Sequence, residues 1–209
     1  MKKMFLVSSF KDVAAILPNF EKNLKGKTVI FIPTASIPEK IKFYVNAGKK
    51  ALEKLGMTVD TLEISALEIT EISKRIKEND FIYVTGGNTF FLLSELKRTG
   101  ADKVIIEEIN NGKLYIGESA GAMITSKNIE YVKLMDNAEK APNLKNFDAL
   151  GLIEFYIVPH YKNFPFQKIS QKIIDTYSDD LELQPISNNE AVLVEDDKIN
   201  IEKANQKKI

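Results

Sequence analysis

Apolar residues in the first half of the chain fall into short continuous runs, separated by longer segments in which they recur at helical spacing. Met4 to Ser8 predicts a buried strand, and Val13 to Leu24 predicts a helix that runs to a stop at Gly26. Thr28 to Ile32 is a second strand closed by Pro33. Pro38 then opens a helix with Ile41, Val45, Leu52 and Leu55 on one side, Lys49, Lys50 and Lys54 facing away, and Gly56 at its end. Thr58 to Ile64 alternates as a third strand, and a short polar helix near Glu71 to Lys77 leads to a fourth, Phe81 to Val84. That strand breaks at Thr85-Gly86-Gly87-Asn88-Thr89. Helices at about Phe90 to Lys97 and Asp102 to Asn110 follow, and Leu114 to Ile116 is a fifth strand. Strands alternating with helices at this pitch predict an α/β fold: a mostly parallel, doubly wound sheet with helices on both faces and ligands bound beyond the carboxyl ends of its strands.

The second half is less regular. Lys127 to Phe147 is polar and too long for a simple connector, so it reads as a functional loop, a lid over the cleft, or a small hairpin. Phe155 to Val158 predicts a buried strand, Phe166 to Tyr177 a helix, and Leu183 to Ser187, Ala191 to Glu195 and Lys198 to Ile201 strands, the last two turned at Asp196-Asp197. With no internal repeat and no linker, residues 1 to 209 read as one domain.

Charge adds an exclusion. Lys plus Arg and Asp plus Glu number 29 each, so nothing in the net charge favours nucleic acid or an anionic membrane surface as a partner. No apolar run reaches the roughly 18 to 20 residues of a membrane span. The apolar start at Met4 meets Lys11 and Asp12 too soon for a secretory leader and reads as a strand, which points to the cytoplasm. The absence of cysteine removes disulfides, thiolate metal sites and a cysteine nucleophile, so a nucleophile here is an oxygen.

One oxygen stands out. Gly117-Glu118-Ser119-Ala120-Gly121 fits the Gly-x-Ser-x-Gly turn, in which a serine between a strand and a helix is pushed out of the backbone with small residues around it. The Ala120 N–H at the start of that helix faces the place where an oxyanion would develop, and Gly87, in the Gly86-Gly87-Asn88 turn at the same sheet edge, supplies a second donor. His160, the single histidine, stands just past a predicted strand on that edge and suits the role of general base. A triad also needs a carboxylate to orient the imidazole. Spacing does not choose among Asp136, Asp148 and Glu190.

Gly86-Gly87-Asn88-Thr89-Phe90 with Leu92-Leu93, Gly117 through Ala122, Phe147-Asp148-Ala149-Leu150 with Leu152, and Pro159-His160-Tyr161 together resemble the peptidase E family, the S51 serine peptidases, from the first strand to about Glu190. The resemblance implies a class I glutamine amidotransferase-like (flavodoxin-like) fold and cofactor-free peptide hydrolysis, with cleavage of Asp-X dipeptides in the best-known members. It implies Ser119 as nucleophile, His160 as base, and Asp136 as the acid ahead of Glu190. The implied partner is a small peptide, met by a monomer or homodimer without a metal. One departure is Glu118, which stands where the aspartyl dipeptidase carries a tryptophan. Beside the nucleophile, a carboxylate there is expected to repel an acidic substrate or attract an α-amino group. Two other readings compete: an α/β esterase, whose upstream His-Gly-Gly motif is missing, and a silent ligand-binding protein of the same fold.

Overall fold

The computed structural model describes residues 1–204. Seven strands form one sheet in the order β3-β2-β4-β5-β1-β8-β9, where β1 is Lys3–Val7, β2 Thr28–Ile32, β3 Thr58–Thr61, β4 Phe81–Val84, β5 Leu114–Glu118, β8 Glu190–Glu195 and β9 Lys198–Lys203. The first five are mutually parallel, and β8 runs antiparallel to β1 with Val7 opposite Ala191. The hairpin at Asp196-Asp197 forms as expected and adds β9 as an exposed edge.

The central strands are apolar on both faces because both faces are covered. On β4, Ile82 and Val84 enter a core shared with α4 (Ile69–Glu78), α5 (Thr89–Thr99) and α6 (Ala101–Asn110), where Ile72, Leu92 and Ile105 are fully buried. Phe81 and Tyr83 face the other way, toward α1 (Phe10–Val13), α2 (Leu17–Phe20) and α3 (Phe43–Lys54). Gly100, in the left-handed conformation, ends α5 and starts α6. The remaining helices are α7 (Ala120–Met123), directly after β5, and α8 (Gln167–Tyr177). None of the helices among the described residues is long and apolar enough to cross a membrane.

Several expectations shift. The helix read over 13 to 24 divides into α1, a 3-10 turn at Ala14–Ile16 and α2, because Pro18 has no N–H to donate inside a longer helix and is tolerated only in the first turn of α2. The helix read from Pro38 begins only at Phe43; Ile41 lies outside it and is 66% exposed. β3 stops at Thr61, since Glu63 caps a 3-10 turn at Ile64–Ala66. The strands near 155 and 183 leave the main sheet: β6 (Tyr156–Val158) and β7 (Leu183–Pro185) pair in parallel by themselves. The 127 to 147 section is neither hairpin nor open loop. It contains 3-10 turns at Glu130–Leu134 and Ala138–Lys140, pinned by Tyr131 and Val132, which are buried against Phe90, Met123 and Val158.

Candidate active site

β5 delivers Ser119 to the carboxyl edge of the sheet in a backbone conformation that side-chain-bearing residues rarely adopt, φ 50° and ψ −105°. The flanking glycines make this turn possible. A Cβ on Gly117 would strike the Gly121 carbonyl, and one on Gly121 would strike the Val84 carbonyl of the neighbouring strand. The Ser119 N–H donates to Val7 O at 2.8 Å, and its carbonyl accepts from Ala122 and Met123 as α7 starts. The hydroxyl is left free to act.

It meets His160. Ser119 Oγ lies 3.0 Å from Nε2, and the imidazole Nδ1 lies 2.8 Å from Asn188 Oδ1. Because an amide oxygen only accepts, Nδ1 carries the proton, which leaves Nε2 as the acceptor for the serine hydroxyl. The histidine is held from several directions. Its backbone, at φ 60°, donates to Ser8 Oγ (2.9 Å), which in turn donates to Ile186 O (3.0 Å), and its ring stacks on Phe166 at 4.8 Å. The Asn188 N–H donates to Asn163 Oδ1 (2.8 Å), and the Asn163 N–H donates to His160 O, which ties the two loops together. Burial lowers the imidazole pKa below its ordinary value, and the Asn188 bond opposes that only in part. The neutral, proton-accepting form is therefore favoured near neutrality.

In the glycine turn Asn88 N–H donates to Ala35 O at 2.8 Å, and the Gly86 carbonyl accepts from the Thr85 hydroxyl at 2.9 Å. Among the described residues, Gly87 N–H and Ala120 N–H are not spent on another protein group. Gly87 stands at φ 136°, and any Cβ there would run into the Ala35 carbonyl. Gly86 packs so closely that a Cβ would lie 3.2 Å from Ser119 Cβ, which places the turn against the nucleophile. Gly87 and Ala120 thus remain as the donor pair for an oxyanion. Asn88 instead caps α5, its Oδ1 accepting from Phe91 N–H and its Nδ2 donating to Asn137 O.

None of the three carboxylates considered from sequence touches His160. Asp136 accepts from Thr89 N–H (2.8 Å) and Thr89 Oγ1 (2.6 Å) at the start of α5, and burial pushes its pKa up to about 6 despite those bonds. Glu190 accepts from Ser187 N–H (2.8 Å) and Ser187 Oγ (2.6 Å); burial works against its charge, but these bonds and Lys203 outweigh it and lower its pKa. Glu190 therefore shapes the turn that carries Asn188 without reaching the imidazole. Asp148 pairs with Asn128. Glu118 also departs from expectation: it points to the α1–α3 side of the sheet rather than into the cleft, and is 4% exposed. Asn188, Ser8 and Phe166 were not legible as site residues. The polar run Ser187 to Glu190, entering a strand at the site's edge, was the available signal for Asn188.

A strained serine on a strand-to-helix turn, bonded to a half-buried neutral histidine beside two unspent amides, defines a serine hydrolase of the doubly wound α/β class. The model for peptidase family S51 matches residues 4–202, and the chain belongs to that family of serine peptidases. It is 59% identical to an uncharacterized peptidase of Listeria innocua over 99% of both chains, and 32% identical to peptidase E of Haemophilus influenzae over 77% of this chain and 74% of that one. The crystal structure of a peptidase E-like protein from Listeria monocytogenes superposes with a TM-score of 0.94 at 57% identity, covering 98% of this chain and 99% of that one. The fold is the class I glutamine amidotransferase-like fold of the family.

Proposed function

We infer that the chain hydrolyses small peptides with a free N-terminus through an acyl-enzyme formed on Ser119, with His160 as base and Asn188 as the group that orients it. The observation that carries this reading is the continuous line Ser119 Oγ, His160 Nε2, His160 Nδ1, Asn188 Oδ1, with separations of 3.0 and 2.8 Å. His160 takes the serine proton as Oγ attacks the scissile carbonyl, and the negative oxygen is held by Gly87 and Ala120 N–H. The same proton then passes from Nε2 to the leaving amine, and water attacks the ester by the reverse path. Asn188 keeps the proton on Nδ1 throughout, the role an amide fills in Cys-His-Asn proteases. Asp136 and Glu190 are assigned supporting places, at the start of α5 and in the Ser187 turn respectively.

Asp-X cleavage, the precedent of the family, is set against neutral dipeptides in the test. Purified protein is labelled with a fluorophosphonate and mapped by mass spectrometry, then assayed on Asp-X, Glu-X and neutral X-X dipeptides. Labelling at Ser119 with turnover of at least one class supports the reading. A protein that neither labels nor turns over is a binding protein. The working compartment in this reading is the cytoplasm.

A further inference from the structure

Of the two edges of the seven-stranded sheet, β3 is partly covered and β9 is open. On β3 the Arg75 guanidinium, from α4, donates to the Thr61 carbonyl at 2.8 Å and pairs with Asp60. All six residues of β9 are exposed, including Ile199 at 48% and Ile201 at 49%. The hairpin fixes where its backbone groups point. Ala204 N–H donates to Asn189 O, and residues along an antiparallel strand alternate between bonding to the neighbour and facing away from it, so Lys198, Asn200 and Glu202 bond to β8. Ile199, Ile201 and Lys203 turn their N–H and C=O groups to the open side, where among the described residues no side chain meets them.

The side chains on this edge are laid out with a polarity. Ile199 and Ile201 lie opposite Val194 and Val192 of β8 and carry on the apolar face that those valines give to the core under α4, α5 and α6. The other face of the strand presents Lys198, Asn200 and Glu202 in the order positive, neutral, negative. Among the described residues neither charge is in an ion pair, and Glu195, across the hairpin from Lys198, lies 4.0 Å from Lys3 instead. Four residues of extended chain hold Lys198 and Glu202 about 13 Å apart, too far to neutralise each other. A two-fold axis through Asn200, perpendicular to the sheet, would bring each beside its opposite.

We propose that β9 pairs antiparallel with β9 of a second copy of this chain, with Asn200 opposite the partner's Asn200, so that two sheets join into one across a two-fold axis. In this register Lys198 faces the partner's Glu202, and Glu202 faces the partner's Lys198. Ile199 falls opposite the partner's Ile201 as a hydrogen-bonded pair, which uses the backbone groups left open on this edge and covers the exposed isoleucines with one another. Neighbouring registers do worse. Centring the pair on Ile199 sets Glu202 against the partner's Asp196, and centring it on Ile201 sets Ile199 against the partner's Lys203. Lysines on an exposed edge commonly guard it against pairing. A guard works by bringing like charges together, whereas this strand brings opposite charges together in copies of itself. β8 and β1 stand between β9 and the strand that carries Ser119, so the inference is independent of the hydrolytic reading.

The test is sedimentation velocity over a range of protein concentrations for wild type, Lys198→Glu, Glu202→Lys and the double variant carrying both changes, with melting temperatures recorded beside it. Wild type should show a monomer–dimer equilibrium. Either single reversal sets like charges opposite each other at both symmetry-related pairs and should weaken the dimer roughly 10- to 100-fold. The double variant exchanges the two charges and should return to within about threefold of wild type. Hydrogen exchange read by NMR gives a second view: the Ile199, Ile201 and Lys203 amides should slow as wild-type concentration rises, while those of Asn200 and Glu202, bonded to β8, should hold steady. If a charge variant fails to fold, Ile201→Pro decides, because it removes an outward N–H and none that β8 uses, and it should be monomeric. A wild type that stays monomeric, a dimer that neither single reversal weakens, or a dimer whose outward amides exchange as fast as in the monomer overturns the pairing. Fluorophosphonate labelling at Ser119 should be equal in all variants, and its failure in wild type would count against the hydrolase reading alone.

Discussion

Replacing Asn188 by alanine removes the acceptor 2.8 Å from His160 Nδ1 and little else, because the Asn188 contact to Asn163 is made by its backbone N–H and survives. The loss is the tautomer-fixing bond. A hydrogen bond to a group that becomes charged in the transition state is worth roughly 1.5–3 kcal/mol, which at about 1.4 kcal/mol per decade is a fall in kcat of roughly 10- to 150-fold. KM should change little, since the side chain faces the ring and not the scissile bond. Asn188→Asp is the informative companion: a carboxylate at that distance raises the imidazole pKa by about 1–3 units and should displace the acid limb of kcat/KM to higher pH. Asp136→Asn, which preserves an acceptor for Thr89, should stay within about threefold of wild-type kcat. The assay is kcat and KM on the best dipeptide from the substrate screen, with active-site titration to count folded enzyme. If Asp136→Asn loses three or four decades while Asn188→Ala stays near wild type, the orienting group is the aspartate and the assignment from the 2.8 Å contact is wrong.

Ser119→Ala should lose all labelling and turnover, while Ser119→Gly, freed of a φ of 50°, should melt higher than the alanine variant by an increment worth about 1 kcal/mol in differential scanning calorimetry. Gly87→Ala drives a Cβ into the Ala35 carbonyl and should cost at least about 2 kcal/mol in urea unfolding, with activity lost in whatever folds. Stability should also fall as pH rises from about 4.5 to about 7. Glu118 and Asp136 have folded-state pKa values raised to about 7 and about 6, so the native state binds more protons than the unfolded chain in that interval, and their stabilising contribution is lost as each ionises. Each raised carboxylate accounts for a few kcal/mol at about 1.4 kcal/mol per unit. Urea unfolding of Glu118→Gln between those pH values should show a flatter profile than wild type.

How much of this was legible beforehand depended on the range of the forces involved. The central strands and the serine turn were readable because they are fixed locally: continuous apolar runs need cover on both faces, and Gly117 and Gly121 are required by backbone carbonyls a few ångströms away. His160 was readable because it is the single histidine and follows a strand. Asn188 was not, because an amide has no charge or rarity to mark it, and its meeting with His160 is made by a loop of the separate β6–β7 pair. The side occupied by Glu118 was in principle open to the period-two rule. It is in phase with Ile116, which belongs to the core under α1–α3, and a strand residue two positions on faces the same way. The unbroken helix over 13 to 24 failed for a local reason that the sequence did contain, Pro18.

The place of β1 in the sheet sets the order in which this site is built. Val7 holds the Ser119 amide, Ser8 receives the His160 amide and reaches Ile186, and β1 is flanked by β5 and β8, so the strand made earliest supports groups that arrive over the following 180 or so residues. A chain emerging from the ribosome has its nucleophile turn long before it has His160, Asn188 or the antiparallel strand that closes the far side of β1. Hydrolytic competence therefore belongs to the last long-range pairing rather than to collapse, and in refolding it should return with the slowest phase. Incomplete chains carry the serine but not the means to use it.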